Sequence, residues 1–205
     1  MRSLTRIIPR RGKAPTRTLL VLLALLLVIG WTPTYGEPPE RHPATTDALI
    51  KIEGSGLRNV FRVCDGLYRG GRLTPEGAAQ LKCMGVKTVI SLRIRPNDES
   101  FIRCAGLDYV HIPFKTWRPN DEQVIQFLKI ATDKNCQPVY FYCNRGAERT
   151  GMMCAVYRMA VCGWSREEAI CEMTQGPFDY HPIWKKVLAY VENVDVECIK
   201  RRAGL

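Results

Sequence analysis

The segment QPVYFYCNRGAERTGMMCAVYRMAVCG, residues 137–163, constrains the fold more than any other part of this 205-residue chain. Gln137 to Tyr142 is a short apolar run rich in strand-forming residues, and it ends at Cys143. Thr150 to Gly163 has helical apolar spacing and is stopped by a glycine. The loop between them is therefore a strand-to-helix turn. A strand that runs directly into a helix is the building unit of an α/β sheet, and it places that loop at a strand's carboxyl end.

The flanking sequence repeats the alternation. Asn59 to Leu73 holds two strand-like runs around Asp65-Gly66, a turn signal. In TPEGAAQLKCMG, Thr74 stands as N-cap, Pro75 at the first helical position and Gly85 as the stop. Val86 to Arg93 and Leu107 to Phe114 read as strands. Asn120, with Gln123 three residues on, starts a helix reaching Lys134, and Ser165 with Glu168 starts another. His181 to Val194 is the last helix. The pattern predicts an α/β fold with helices on both faces of a mostly parallel central sheet. With 46% hydrophobic residues the chain can bury one sizeable core. Four segments follow: a leader over 1–36, a linker over 37–56, a globular domain over 57–197 and a basic tail over 198–205.

The net charge of +10 is concentrated in the leader, where six basic residues from Arg2 to Arg17 meet no acid. The remainder carries 24 basic against 20 acidic side chains, without a basic stripe interleaved with aromatics, so nucleic acid is not an expected partner. The apolar run Leu19 to Trp31 follows the basic stretch and is shorter than the roughly 20 residues a spanning helix needs. It reads as an export signal or an uncleaved anchor, which makes an exported, periplasmic or membrane-anchored protein the expectation, with membrane association through this segment. Nine cysteines are present, an odd number that leaves at least one thiol outside any intrachain pairing. None forms a CxxC pair, and none of His42, His111 and His181 stands near a second ligand, so no metal and no cofactor is expected.

The loop itself carries the chemistry. A glycine-containing turn leading into a helix aims successive backbone N–H groups at one spot, which suits phosphate. A cysteine at such a spot has its pKa lowered from about 8.5 into the range of roughly 3.5 to 7.5 and becomes a nucleophilic thiolate. Arg149 can present a planar fork to two phosphate oxygens. Gly146 allows the tight turn, and the Thr150 hydroxyl can donate to the sulfur. Cys143, Arg149 and Thr150 are the candidate catalytic residues. Asn144, Arg145, Gly146, Ala147, Glu148 and Arg149 form the candidate phosphate cradle. Arg69 and Arg72 read as surface arginines.

Cys143 through Gly151 resembles the C-x5-R-[ST] loop of the protein tyrosine phosphatase superfamily, in its atypical dual-specificity branch of bacterial, plant and fungal members. The resemblance runs from FRVCDGLYRGG through KTVISLR to HPIWKKVLAYV. It implies a phosphatase-like fold and metal-free hydrolysis of phosphate monoesters through a cysteinyl-phosphate, with Arg149 stabilising the transition state. The substrates it implies are phosphotyrosine and phosphoserine/threonine proteins, or phosphoinositides and inositol phosphates. Arg145, with Lys115 and Arg118 near the rim, points toward polyanions. The family's acid aspartate maps onto KTWRPND, which makes Asp121 the candidate general acid; a carboxylate one residue into a capped helix is also what the helix dipole favours. Tyr142 replaces the histidine usual before the cysteine, and Glu148 is unusual beside a bound phosphate. Those departures keep open a phosphate-binding module without turnover. Sulfur-transfer or redox chemistry is a third reading, opposed by Arg149-Thr150-Gly151.

Overall fold

The computed structural model describes residues 49–205, so the leader and most of the linker lie outside the described residues. Six strands form one sheet: β1 (Ile50–Ile52), β2 (Val60–Cys64), β3 (Leu67–Gly70), β4 (Thr88–Ser91), β5 (Asp108–His111) and β6 (Val139–Tyr142). Their order across the sheet is β1-β2-β3-β6-β4-β5. Strands β3, β6, β4 and β5 run parallel, whereas β2 is antiparallel to both of its neighbours. The fold is α/β with a mixed sheet. Antiparallel strands can be joined by a two-residue turn, and Asp65-Gly66 supplies one between β2 and β3; the parallel pairs need helical crossovers.

Seven helices flank the sheet among the described residues. They are α1 (Pro75–Cys83), α2 (Glu99–Cys104), α3 (Asp121–Thr132), α4 (Glu148–Ala160), α5 (Arg166–Gln175), α6 (Lys185–Asn193) and α7 (Val196–Ala203). The period-2 alternation of β6 divides the core into two layers. Val139 and Phe141 pack with Phe127, Met152 and Val156 on the side of α3 to α7. Tyr140 and Tyr142 pack with Leu81, Val89 and Ile102 on the side of α1 and α2. Each large apolar side chain buried in these layers stabilises the fold by roughly 1.5–3 kcal/mol. Central β6, bonded on both sides, is thereby held rigidly where it enters the loop.

The cap signals translate directly into structure. Thr74 accepts from the Gly77 amide, Asn120 from that of Gln123, and Ser165 with Glu168 forms a reciprocal capping box. Three elements were not anticipated: β1 inside the expected linker, the six-residue α2, and α7. Residues 198–205 are not a tail, since all but the last two belong to α7, which Asp195 caps by accepting from the Cys198 amide. Helix α6 begins at Lys185 instead of His181, which leaves His181 to Trp184 as a turn beside the loop.

The membrane-anchored expectation requires correction. Among the described residues no helix is long and apolar enough to cross a membrane. The run Leu19 to Trp31, on which that expectation rested, lies outside the described residues.

Candidate active site

At the carboxyl end of β6, Tyr142 pairs with Gly70 of β3 on one side and Ser91 of β4 on the other. The chain then turns through Cys143–Ala147 into α4. Three consecutive carbonyls of this loop are each held from outside. Asn144 O accepts from the Arg72 amide at 3.3 Å, Arg145 O from Asn59 Nδ2 at 3.1 Å, and Gly146 O from an Arg69 guanidinium nitrogen at 3.1 Å. In a planar trans peptide the N–H points opposite to the carbonyl, so fixing these oxygens outward turns the following amides inward. Gly146 has φ +81°, and a β-carbon there would lie 2.6 Å from the Gly70 carbonyl carbon, so only glycine fits. No side chain caps the start of α4, and its first amides are left facing the same hollow.

Cys143 sits at the floor of this hollow, 1% exposed. Its sulfur accepts from the Gly146 amide at 3.3 Å. Burial alone pushes the thiol pKa up, but the Arg149 charge, the Thr150 hydroxyl and the Thr150 and Gly146 amides together outweigh it and hold the pKa below the ordinary value. The Thr150 hydroxyl donates to Gly70 O at 3.4 Å, a long bond, and its rotation can turn the same proton to the sulfur instead. Arg149 donates one nitrogen to Leu92 O at 3.3 Å, and its buried Nε has no partner. That arginine is fixed in place with donor capacity left over for an anion.

Above the loop opens a cleft of about 570 Å³, lined by Asn144, Arg145, Glu148, Arg149, Thr116 and His181 together with Ile94, Trp117, Ile183 and Trp184. These last four are the cleft's apolar walls, and all of them are solvent-exposed. Trp117 is 59% and Ile183 68% exposed, an unusual investment of apolar surface around one opening. Glu148, 5% exposed, forms a close ion pair with Arg145 within the loop, which offsets much of the charge Arg145 was expected to offer. Lys115 and Arg118 do not line the cleft.

Cys143, Asn144, Arg145, Gly146, Ala147, Glu148, Arg149 and Thr150 are thus gathered at one place. Asp121 is not. Its Oδ1 accepts from the Tyr190 hydroxyl at 2.8 Å and its Oδ2 lies 3.5 Å from Arg202, facing α6 and α7. Tyr142 turns into the opposite core layer, stacked on Tyr140, where burial pushes its hydroxyl far above the usual phenol range. Among the described residues no group of His, Cys, Asp and Glu could hold a metal ion.

Several contributors have no local sequence signal. Arg69, expected at the surface, is fully buried, with its guanidinium stacked 3.5 Å over the Phe178 ring. Asn59, at φ +54°, bridges Arg145 O and Phe178 O. His181 accepts the Ile183 amide at Nδ1, 3.3 Å away, so a neutral ring carries its proton on Nε2.

Comparison with known proteins agrees with this geometry. Residues 63–182 match the model of a family described as a DSP-PTPase phosphatase fused to NAD+ kinase. The chain is 31% identical over 143 residues to the dual specificity protein phosphatase TpbA of Pseudomonas aeruginosa, covering 69% of this chain and 65% of that protein, so it spans just under two thirds of this relative's length. A crystal structure of P. aeruginosa TpbA superposes with TM-score 0.69 at 27% identity, over 78% of this chain and 99% of that one. An inositol diphosphatase, DSP3 of Arabidopsis thaliana, is 29% identical over 108 residues, 49% of this chain and 53% of that protein.

Proposed function

Because this chain belongs to the DSP-PTPase phosphatase family, we propose that it is a cysteine-dependent phosphatase whose preferred substrates are aryl phosphate monoesters, phosphotyrosine foremost. The observation that carries the chemistry is the buried Cys143 sulfur, held below its ordinary pKa at the focus of inward amides and Arg149. The thiolate attacks phosphorus as the bond to the leaving oxygen breaks, giving a cysteinyl-phosphate. Water then attacks phosphorus, the S–P bond breaks, and inorganic phosphate leaves. Arg149 and the loop amides bind the equatorial oxygens, where charge spreads in the transition state. Thr150 donates to the sulfur when it departs as thiolate.

The preference for aryl esters rests on the cleft. Its walls are Ile94, Trp117, Ile183 and Trp184, matched to a flat apolar ring. Its one carboxylate, Glu148, is committed to Arg145. Asp121 does not line the cleft and is engaged by Tyr190 and Arg202. His181 lines the cleft and holds the Ile183 amide through Nδ1, which leaves Nε2 as the ring nitrogen able to hydrogen-bond a leaving oxygen. The relative TpbA, whose structure is known in complex with pTyr, supports this reading. The inositol diphosphatase relatives support a polyanion instead, but the pairing of Arg145 with Glu148 weighs against it.

Wild type and Cys143→Ser should be assayed on p-nitrophenyl phosphate, phosphotyrosine and phosphoserine peptides and an inositol polyphosphate, with acid quenching to trap a phosphoenzyme. Aryl substrates are expected to lead in kcat/KM by about 10²-fold, the lower end of what acid catalysis contributes to a poor leaving group. Full activity in Cys143→Ser refutes the mechanism, and equal rates on aryl and alkyl phosphates refute the specificity.

A further inference from the structure

A second cleft adjoins the first. It measures about 550 Å³ and is lined by Arg58, Arg72 and Asn144, with Leu57, Leu73 and Phe101 among its apolar neighbours. Asn144, the residue after the nucleophile, lines both clefts and forms the wall between them. Arg58 and Arg72 line this second space, and no acidic residue does. Arg72 bonds Asn97 at 3.0 Å and stands 3.9 Å from the buried Asp98, a carboxylate that Arg93 already occupies at 2.7 Å. The Arg58 side chain is exposed and forms no ion pair among the described residues.

The backbone fixes the distance between the two spaces. Gly71 donates its amide to Arg58 O at 2.8 Å, and a β-carbon at Gly71 would meet Arg58 O at 3.0 Å and Arg145 O at 3.1 Å. A side chain at this position would crowd both carbonyls, so Gly71 favours the close approach of the Arg58 segment to the phosphate loop. An anion in the second cleft would therefore sit beside the phosphoryl group's own cradle, within the reach of a neighbouring side chain on the same substrate.

We infer that this cleft is a second anion subsite, in which Arg58 and Arg72 bind an acidic side chain flanking the phosphotyrosine of a peptide substrate. The inference rests on the aryl phosphatase reading above. A carboxylate accepts charge-assisted hydrogen bonds from the two arginines, while its methylene stem covers Leu57 and Phe101. Such contacts form equally in ground and transition states, so they lower KM and leave kcat unchanged.

The test compares phosphotyrosine peptides that carry Glu or Gln beside the phosphorylated residue, on wild type, Arg58→Ala and Arg58→Glu. Wild type is expected to show a KM about tenfold lower for the Glu peptide, in the range of one charge-assisted bond, with equal kcat and a preference that shrinks as salt rises. Arg58→Ala should erase the preference and Arg58→Glu should reverse it, both retaining wild-type turnover of p-nitrophenyl phosphate, which is too small to reach the second cleft. No difference between the two peptides on wild type overturns the inference, as does a preference that survives Arg58→Glu. So does a KM effect of Arg58→Ala confined to an inositol polyphosphate, which would make the cleft a site for a second phosphate on a polyol. If p-nitrophenyl phosphate is not hydrolysed at all, the phosphatase reading fails separately. Binding of the two peptides to Cys143→Ser then still decides the subsite.

Discussion

Two cysteines of one continuous segment, Cys143 in the loop and Cys154 in α4, are equally hidden from solvent and have opposite chemistry. Cys143 is 1% exposed and Cys154 0%. Burial pushes the Cys154 thiol up to about 12, opposed by Arg69 but reinforced by Glu172, whose carboxylate accepts the S–H at 3.4 Å. The same burial acts on Cys143 and is overcome. What separates them is the direction of nearby donors. Inside a helix every backbone N–H is spent on a carbonyl four residues back, whereas at the helix start the amides are unspent and Cys143 collects them along with a positive charge. Desolvation sets the cost of ionisation, and the geometry of donors decides whether it is met.

Four experiments break or sharpen this contrast. The largest expected effect is on alkylation, since only thiolate reacts: at pH 6.5, iodoacetamide should modify Cys143 more than about 10³-fold faster than Cys154, as followed by peptide mass mapping. Comparable rates would mean that the donors do not offset burial.

Next in size is Arg149→Lys, which keeps the charge but loses the fork. We expect kcat/KM on p-nitrophenyl phosphate to fall by about 10²- to 10³-fold, the scale of losing a preorganised transition-state donor. A loss smaller than about threefold would show that point charge suffices.

Arg69 stands between the two thiols, bonded to the Gly146 carbonyl and acting electrostatically on Cys154. Arg69→Met should reduce kcat/KM by about tenfold, in line with one lost charge-assisted bond. It should also shift the pH profile of Cys143 alkylation to higher pH, whereas a change in thermal stability alone would assign Arg69 to packing.

The smallest effect concerns stability against pH. The folded pKa of Cys143 is depressed, so its contribution is complete above the free-thiol value of about 8.5 and is lost as pH falls through the folded value. That of Cys154 is raised, so its contribution is complete below about 8.5 and is lost as pH rises toward about 12. Melting curves of Cys143→Ala should therefore lack part of the wild type's loss on acidification. Those of Cys154→Ala should lack part of its loss at alkaline pH. Identical pH slopes in all three proteins would contradict the assignment.

Much of this was legible along the chain. Thr74, Asn120 and Ser165 announce helices because a cap bonds an amide two or three residues away. Cys143, Gly146, Arg149 and Thr150 announce the loop for the same reason. Asp121 shows where local reading stops. Its position after a cap is compatible with catalysis or with a helix start, and no local spacing announces the contacts its carboxylate makes with Tyr190, 69 residues away, and with Arg202. Helix α7 carried its own signals in Asp195 and Gly204, but a short basic terminus reads equally well as a tail.

By itself the amino-acid sequence determined the α/β alternation, the strand-to-helix turn, and a cysteine, glycine, arginine and threonine spaced to surround one phosphate. These are interactions within a few residues, written in order along the backbone. Tertiary structure alone decided which donors hold the loop open, which groups wall the cleft and where a second cleft adjoins it. Asn59 reaches Arg145 across 86 positions and Arg69 reaches Gly146 across 77. Such partners are brought together by packing of the sheet layers, for which no spacing in the chain is a signal.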